Sequence, residues 1–393
     1  MVSIAAGPRN LVPASSCKAN GAGFPCIRSL IALIKVLRNV IIPLSAGMDS
    51  RFIASGLKHL NYKNVLCVSY GIKKNRDAII AKKISKELGY NWVFIPYTNN
   101  SYKDIFFSNQ FNKFLSYSDY FTSIQFSSEF LMMKHLTNDN LISKEAIFVN
   151  GQSGDFLSGG HIPSEMVGKI QSKEIRYERL IKCIVTKHFK HWGSLMTDDN
   201  IKIIQRFIKE EIAKFGGLPK DSTLDYAVFE HLEYMNRQSK YVVNGQRVYE
   251  YFGYEWRLPL WDKEYIDFWE KINIENKLNQ NLYKDTLIND NWGNVWKNIL
   301  INPIAIAPKW IIPVRNIIKA IYFFLGKEKW HDFERKYISY FMSPICYFAP
   351  WSYFDIAQDN RKFFSSIAWY IEYYLNNKKL NWKGEVQKKN HKK

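Results

Sequence analysis

The feature that most constrains this chain is a regular alternation of apolar runs and amphipathic stretches between residues 39 and 97. Three runs have the length of buried strands, and two stretches between them carry apolar residues at helical spacing. The runs are residues 40–44, 64–70 and 92–96, and the helical stretches are residues 51–60 and 77–88. This order predicts an α/β fold with a doubly wound parallel sheet. Residues 146–149 predict a further strand, and the chain beyond residue 175 has a mostly helical pattern.

The turn after the first predicted strand, residues 45–50, has the sequence Ser-Ala-Gly-Met-Asp-Ser. A strand-to-helix turn of this kind presents unpaired backbone N–H groups and the positive end of the helix dipole, which together bind phosphate. Asp49 would repel a bare phosphate, but Mg²⁺ can bridge a carboxylate and phosphate oxygens. The alternative is an ordinary loop in which Asp49 or Ser50 caps the helix.

This turn resembles the pyrophosphate-binding loop of the N-type ATP pyrophosphatases, whose motif is Ser-Gly-Gly-x-Asp-Ser. The matching residues are Ser45, Gly47, Asp49 and Ser50, with Ala46 in place of the first glycine. Two further segments resemble the asparagine synthetase branch of that superfamily. Residues 151–160 are similar to its Gly-Glu-Gly-Ser-Asp-Glu-x-x-x-Gly-Gly segment, and residues 253–262 to its Gly-x-Glu-x-Arg-x-Pro-Phe-Leu-Asp segment. The chain therefore resembles an asparagine synthase domain.

In that family a carboxylate attacks the α-phosphate of ATP, pyrophosphate leaves, and ammonia then attacks the acyl-adenylate with release of AMP. The resemblance implies ATP and Mg²⁺, with Asp49 and Asp155 organising the metal ion. Lys284, which taken alone is typical of a solvated surface residue, would stabilise the charge that develops on the phosphates. Gly151 would lie near the nucleotide. Pyrophosphate would be held by Ser45, Gly47, Asp49 and Ser50, and adenine by the backbone of Val68, Ser69 and Tyr70.

The resemblance also suggests a division of the chain. Residues 39–290 form the asparagine synthase-like ATP pyrophosphatase domain, and residues 291–393 an aromatic-rich helical region. Residues 1–38 are rich in small residues, and we expect them to be poorly ordered. Full asparagine synthetases begin with a glutaminase domain whose cysteine follows the initiator Met, whereas residue 2 here is Val, so we expect that domain to be absent. Ammonia would be free or come from a separate glutaminase subunit; another amine, or a fragment of a longer chain, are alternatives.

Two departures from the family pattern concern the acid that is activated. Gln152 replaces a glutamate, and Phe156 stands where a glutamate follows the aspartate. Both changes would remove a carboxylate near the acceptor, which leaves aspartate, a sugar acid or a peptide side chain open as substrate. His161 is interpreted either as a substrate contact or as a structural hydrogen-bonding residue. Arg51 is interpreted either as a ligand of phosphate or carboxylate or as a helix-surface residue.

Composition bears on the remaining function classes. Lys and Arg number 55 against 36 Asp and Glu, a formal net charge of +19, which suits RNA, anionic lipid or polyphosphate. A tRNA-modifying enzyme with the same loop is one alternative, but the five cysteines contain no Cys-x-x-Cys pair, and we expect neither nucleic acid, zinc nor disulfides. A degenerate, non-catalytic partner protein is the other alternative. The joint presence of Asp49, Asp155 and Lys284 argues against it.

Membrane insertion is not expected from the sequence. No apolar run reaches the roughly 18 uncharged residues of a membrane span. The nearest runs, residues 27–44 and 310–325, are interrupted by Arg and Lys. The first residues lack the order of charge, apolar core and cleavage site that marks a signal peptide. We therefore expect a cytoplasmic protein without a transmembrane span, and peripheral contact with a membrane stays open.

Overall fold

A five-stranded sheet forms the centre of the computed structural model, which describes residues 38–118, 123–125, 127–302 and 308–380. The expectation of poor order for residues 1–38 lies, except for Arg38, outside the described residues. The strands are β1 Val40–Pro43, β2 Val65–Ile72, β3 Asn91–Tyr97, β4 Ile147–Val149 and β5 Glu255–Arg257. Each pairs in parallel with its neighbour in the order β3-β2-β1-β4-β5. The predicted doubly wound α/β fold is confirmed.

Helices make up most of the rest of the described chain. Those up to the second glycine-rich turn are α1 Met48–His59, α2 Arg76–Leu88, α3 Asn99–Phe106, α4 Asn109–Ser118, α5 Ser127–Asn138 and α6 Gly154–Leu157. The later ones are α7 Lys173–Ile184, α8 Asp198–Lys214, α9 Asp225–Glu233, α10 Arg247–Tyr251, α11 Lys263–Glu270, α12 Ile274–Lys277, α13 Asn281–Asp290, α14 Ile311–Tyr322, α15 Lys327–Phe333, α16 Ser339–Met342, α17 Tyr353–Gln358 and α18 Ser366–Asn377. The helices α7, α9 and α15 continue as π-helical segments at Val185–Phe189, Tyr234–Val243 and Glu334–Ile338.

The sheet separates two buried apolar clusters, because successive side chains of a strand point to opposite faces. In β1, Val40 and Ile42 pack in one cluster with residues of α1 and α2. Ile41 packs in the other with residues of α3, α4 and α5. Burial on both faces explains why the strands are continuously apolar rather than alternating.

Some of the C-terminal aromatic residues belong to these same clusters. Trp296 packs in the cluster on the α1 side, and its indole N–H donates to the Ser55 hydroxyl at 3.2 Å. Tyr370 and Tyr374 of α18 pack in the opposite cluster. The aromatic density of this region therefore serves, in part, to cover the sheet, and the predicted helical C-terminal region is confirmed. No helix within the described ranges is both long and apolar enough to cross a membrane.

Residues 253–262, the third segment of the resemblance, form the last strand and its exit. The strand β5 extends the sheet beside β4. Leu260 is completely buried, and the Asp262 carboxylate accepts a hydrogen bond from the Glu264 N–H and caps α11. This segment closes the edge of the sheet next to the crevice where β1 and β4 end, which is where open α/β sheets bind ligands.

Candidate active site

The first turn lies between the end of β1 and the start of α1. Gly47 precedes the helix in an extended conformation, and no side chain caps the helix. The Ser45 hydroxyl accepts a hydrogen bond from the Gly47 N–H at 3.1 Å and lies 3.2 Å from the Ser50 hydroxyl. Asp49 and Ser50 lie inside α1 rather than at its cap, so the capping alternative is wrong. The turn thus places the start of a 12-residue helix, which no side chain caps, at the end of the sheet. Such a helix start is suited to binding an anion.

Asp49 joins this turn to two other elements. Its Oδ1 accepts a hydrogen bond from the Tyr283 hydroxyl of α13 at 2.9 Å, and its Oδ2 accepts one from the Asp155 N–H at 3.0 Å. Burial, and the charge of Asp155, raise the pKa of Asp49 to about 8. It is therefore unfavourable for both carboxylates to be ionised together here, and a divalent cation would relieve that repulsion.

Glycine allows the two turns to approach so closely. A Cβ atom on Gly151 would lie 2.3 Å from the backbone carbonyl carbon of Asp49, and one on Gly154 would lie 2.7 Å from the Asp49 Oδ1. Backbone at that distance must move to admit a side chain. Gly151 therefore has a packing requirement of its own, in addition to the expected position near a nucleotide.

A chain of charged side chains extends from the second turn into the helical half of the protein. Asp155 Oδ2 lies 3.0 Å from His161 Nε2, and the other nitrogen of that ring hydrogen-bonds Glu233 at the end of α9. Glu233 is almost completely buried and accepts a second hydrogen bond, from Lys187 Nζ, at 2.9 Å. Burial acts to raise the pKa of Asp155, but the hydrogen bond and charge of His161 outweigh it and lower that pKa. His161 is thus a hydrogen-bonding residue that holds Asp155.

A cleft of about 260 Å³ opens beside the two turns. Its lining comprises Asp49, Glu129, Gln152, Ser153, Asp155, Arg237, Gln238, Tyr241, Val242, Gly245, Gln246 and Tyr249. Much of this wall comes from the π-helical segment Tyr234–Val243. Arg237 is the basic residue among these lining residues, and its guanidinium lies 3.6 Å from Glu233. The cleft therefore combines three acids, one strong cation and several uncharged amides.

The two family departures differ in how they bear on this cleft. Gln152 lines it, and its side-chain oxygen accepts a hydrogen bond from the Gln246 amide. Phe156 is only 2% exposed and packs in the core, with its ring near those of Trp261 and His161. The expectation that Phe156 removes a carboxylate from the acceptor site is wrong, because this side chain faces the core. The substitution at Gln152 is the one that changes the cleft.

The strand β2 runs past the end of β1 and presents an open edge to the crevice. The Val68 carbonyl accepts a hydrogen bond from the Leu44 N–H, and the Ile72 N–H donates to the Pro344 carbonyl, both at 2.8 Å. Backbone groups of every second strand residue point to the same side. The backbone N–H and carbonyl of Tyr70 therefore point into the gap between these two hydrogen bonds.

The side chains next to that edge are held in place. The Ser69 hydroxyl donates to the Leu44 carbonyl at 2.7 Å, so Ser69 is a buried structural residue. The Tyr70 hydroxyl donates to Glu129 Oε1 at 3.0 Å, and the Ser128 hydroxyl donates to Oε2 at 2.9 Å. Burial raises the pKa of Glu129 in spite of these hydrogen bonds.

Lys284 and Arg51 do not line the cleft, and Lys284 is exposed, as is typical of a surface lysine. The Lys284 ammonium donates to the Asn279 carbonyl at 2.7 Å, so that α13 brings its preceding residue, Tyr283, to Asp49 rather than the lysine. Arg51 is completely buried. Its guanidinium donates to the backbone carbonyls of Ala46, Val295, Ile299 and Leu300. Both interpretations of Arg51 are wrong, because it clamps the first turn to a distant segment.

The metal-binding capacity of the site is limited to a few carboxylates. In the part of the chain that the structure describes, no group of three or more His, Cys, Asp or Glu side chains converges as a metal cage. Mg²⁺ in phosphoryl-transfer sites usually takes one or two carboxylates together with substrate phosphates and water. The donor set of Asp49 and Asp155 beside a phosphate-binding turn fits that pattern.

Comparison with known proteins agrees with this arrangement. The model of the asparagine synthase family matches residues 37–287, which is more than half of the chain. No curated protein matches the sequence significantly. The matched region contains both turns, the cleft and β5. The chain therefore belongs to the asparagine synthase family, a family of ATP-dependent amide ligases.

Proposed function

We propose that this protein is an AMP-forming amide ligase that adenylates a substrate carboxylate, releases pyrophosphate and then transfers ammonia to the acyl group. The observation that carries the proposal is the hydrogen bond from the Asp155 N–H to the Asp49 carboxylate. It brings the uncapped start of α1 and a second acidic turn together at the carboxyl ends of the neighbouring strands β1 and β4. Family membership supports the same reaction class.

The first turn would bind the pyrophosphate portion of ATP. The hydroxyls of Ser45 and Ser50 already lie within hydrogen-bonding distance of each other, and Gly47 lets the phosphate approach the backbone. Charge on the departing pyrophosphate increases during adenylation, so fixed N–H dipoles at the start of α1 stabilise it most when it leaves. Asp49, the fourth residue predicted to hold the pyrophosphate, would act on it through the bound cation.

Asp49 and Asp155 would hold Mg²⁺ between them and the phosphates. When bound, the ion would neutralise part of the phosphate charge. Tyr283 and the Asp155 N–H orient the Asp49 carboxylate, while His161 orients that of Asp155. These hydrogen bonds fix where the ligand oxygens point before the ion arrives.

The nucleotide base would contact the open edge of β2. Val68, Ser69 and Tyr70 are the residues predicted to contact the base. Tyr70 suits this role best, because its backbone faces the gap between two existing hydrogen bonds. Gly151 lies against the backbone of the first turn, and this contact would keep it near the nucleotide, as predicted.

The cleft would bind the acid that is activated. Arg237 suits a carboxylate, since a guanidinium offers paired donors to two carboxylate oxygens. The amides of Gln152 and Gln246 suit hydroxyl or amide groups, so a sugar acid or a peptide carboxylate fits this wall at least as well as aspartate. Lys284 would stabilise the phosphate charge after exchanging the Asn279 carbonyl for a phosphate oxygen.

The alternatives receive less support from the site. A cleft of about 260 Å³ suits a small acid better than a folded tRNA. We propose residues 39–290 as the ligase domain and residues 291–393 as a helical region that completes its core. We also propose cytoplasmic ammonia, free or from a separate glutaminase subunit, as the nitrogen source.

The test is pyrophosphate release from Mg-ATP with ammonium and a panel of aspartate, sugar acids and peptide carboxylates. With oxygen-18 in the carboxylate of the active acid, adenylation transfers one labelled oxygen to AMP. Asp49→Asn should abolish the reaction, and Asp104→Asn, at an exposed position on α3, serves as the matched control. Absence of AMP with every acid would favour the non-catalytic partner protein.

A further inference from the structure

The helix α14 and the turn that follows it present an apolar surface to solvent, far more concentrated than elsewhere in the described chain. The exposed fractions are 64% for Ile317, 61% for Ile321, 80% for Phe323 and 88% for Phe324. We name this surface the apolar stripe and define it by Val314, Ile317, Ile321, Phe323, Phe324 and Leu325. Single exposed apolar residues are ordinary, but a contiguous group of this kind marks an interaction surface.

The stripe is a consequence of how α14 is seated. Its inner face, which includes Ile311 and Tyr322, packs against Trp330 of α15 and Ile338 in a small cluster separate from the sheet. Val314, Ile317, Ile321 and Phe324 follow one another at helical spacing on a different side. The two phenylalanines project from the turn that ends the helix, and Gly326 follows this turn with a φ of +97°. The helix is thus apolar on two sides, and only one of them is used inside the protein.

Basic residues lie close to the stripe in the sequence, and we call them the basic border. Between residues 309 and 329 the chain carries Lys309, Arg315, Lys319, Lys327 and Lys329 against a single acid, Glu328. Lys319, Lys327 and Lys329 are exposed, whereas Arg315 is paired with Glu334. Trp310, which is 58% exposed, lies at the start of the helix, a position where indole rings favour a membrane–water boundary. An exposed apolar face with a basic border is the pattern of helices that lie in the surface of an anionic bilayer.

We propose that the apolar stripe docks this protein on an anionic membrane surface, with Phe323 and Phe324 inserted among the lipid chains and the lysines at the phosphate level. The charge of the border selects this occupant. A second copy of the chain would bring two lysine-rich borders together. Residues 381–393 of the chain are themselves lysine-rich, and residues 27–38 carry Arg and Lys but no acid. Each of these would meet like charge, whereas anionic lipid meets opposite charge.

The experiment is flotation of the full chain with phosphatidylcholine vesicles that contain or lack phosphatidylglycerol. We expect flotation with the phosphatidylglycerol vesicles only. The double variant F323S/F324S should lower the apparent affinity by at least about tenfold, because each ring removed from lipid forfeits a large apolar transfer term. F207S is the matched control, since Phe207 is 55% exposed on α8 and lies outside the stripe.

The basic border is tested in the same assay. K319Q/K327Q/K329Q should lower the affinity for phosphatidylglycerol vesicles by about fivefold for each charge, and added salt should do the same to the unmodified protein. The control K63Q/K83Q/K86Q removes three exposed lysines elsewhere and should leave binding unchanged. Ligase activity in solution should survive in all of these variants, which shows that they fold.

Three results would overturn the proposal. The first is no flotation of the unmodified protein with phosphatidylglycerol vesicles, and the second is equal flotation of F323S/F324S. The third is a dimer in light scattering that the phenylalanine variant converts to a monomer, which would assign the stripe to a second copy.

Discussion

The two sides of the candidate site are built from different kinds of structure. The side that we propose binds phosphate, called the phosphate side below, consists of two turns at the ends of β1 and β4, where backbone geometry and glycine place N–H groups and two aspartates. The acceptor side consists of side chains from Tyr234–Val243 and neighbouring segments, with Arg237 and Gln246 prominent. The first side follows from the parallel sheet itself, whereas the second depends on which side chains the helices present. We infer that the phosphate side is common to the reaction class and the acceptor side selects the acid.

The charged chain of Asp155, His161 and Glu233 links the two sides. Asp155 belongs to the phosphate side, and Glu233 directly precedes the segment that carries Arg237. The charge of buried Glu233 is balanced by the cationic side chains around it. The link can therefore fix the position of the two sides relative to each other. Variants on the two sides should therefore differ in which kinetic parameter they change, provided that the contacts among Asp155, His161 and Glu233 remain intact.

The largest effect is expected from Asp49→Asn on the phosphate side. Asparagine retains an oxygen that accepts a hydrogen bond from Tyr283 or the Asp155 N–H, but it carries no charge for Mg²⁺. We expect kcat for pyrophosphate release to fall by about 10³-fold with every acid, and the Mg²⁺ concentration for half-maximal rate to rise. Steady-state assays with a Mg²⁺ titration test this, with Asp104→Asn as control. A loss confined to one acid would contradict the division into two sides.

The phosphate side was also the side that the sequence predicted best, because its determinants are local. A buried strand, a small-residue turn and an amphipathic helix are contiguous between residues 40 and 59, so Ser45, Gly47 and Asp49 could be placed from the sequence alone. The parallel sheet followed from the same alternation.

The acceptor side could not be placed in this way, because its contacts join segments far apart in the chain. His161 meets Glu233 72 positions later, and the Gln246 amide donates to Gln152, which lies 94 positions earlier. Arg237 lies in a polar stretch whose sequence has no motif that separates it from a surface arginine. Whether a buried charge is tolerated depends on its partners, and those are known only from the tertiary structure.

Lys284→Met is the next test of the phosphate side. It distinguishes the role that the family resemblance implies for Lys284 from the contact that the structure shows. If the ammonium moves to the phosphates during reaction, its loss should lower kcat by about 10²-fold for all acids and leave their KM values nearly unchanged. The measurement is kcat and KM with at least two acids, and Lys63→Met at an exposed position is the control. A kcat close to that of the unmodified protein would mean that Lys284 stays with the Asn279 carbonyl. Arg237 would then be the first cation to examine.

Arg237→Gln tests the acceptor side. Loss of a charged, paired hydrogen bond to a carboxylate should raise the KM of the acid by about tenfold to a hundredfold, with a smaller effect on the KM of ATP. Arg206→Gln is the matched control. Arg206 is an exposed residue of α8, and its guanidinium lies 3.7 Å from the Glu210 carboxylate. Equal increases in both KM values would place Arg237 on the phosphate side and remove the proposed contrast.

The smallest effect is expected from Glu129→Gln, at the boundary between the two sides, where Glu129 lines the cleft and accepts a hydrogen bond from Tyr70. Tyr70 lies on the open edge of β2 that we propose contacts adenine, called here the adenine edge. Because burial raises the pKa of Glu129 in the folded protein, its stabilising contribution is full below the ordinary glutamate pKa and is lost as pH rises through the raised value. Glutamine does not ionise, so the variant should gain stability relative to the unmodified protein as pH rises above the ordinary glutamate pKa of about 4. Urea unfolding midpoints across that range measure the difference, with exposed Glu87→Gln as control. A constant difference with pH would show that Glu129 is not held in its neutral form by the fold, and its place between the adenine edge and the cleft would then need a charged partner from the substrate.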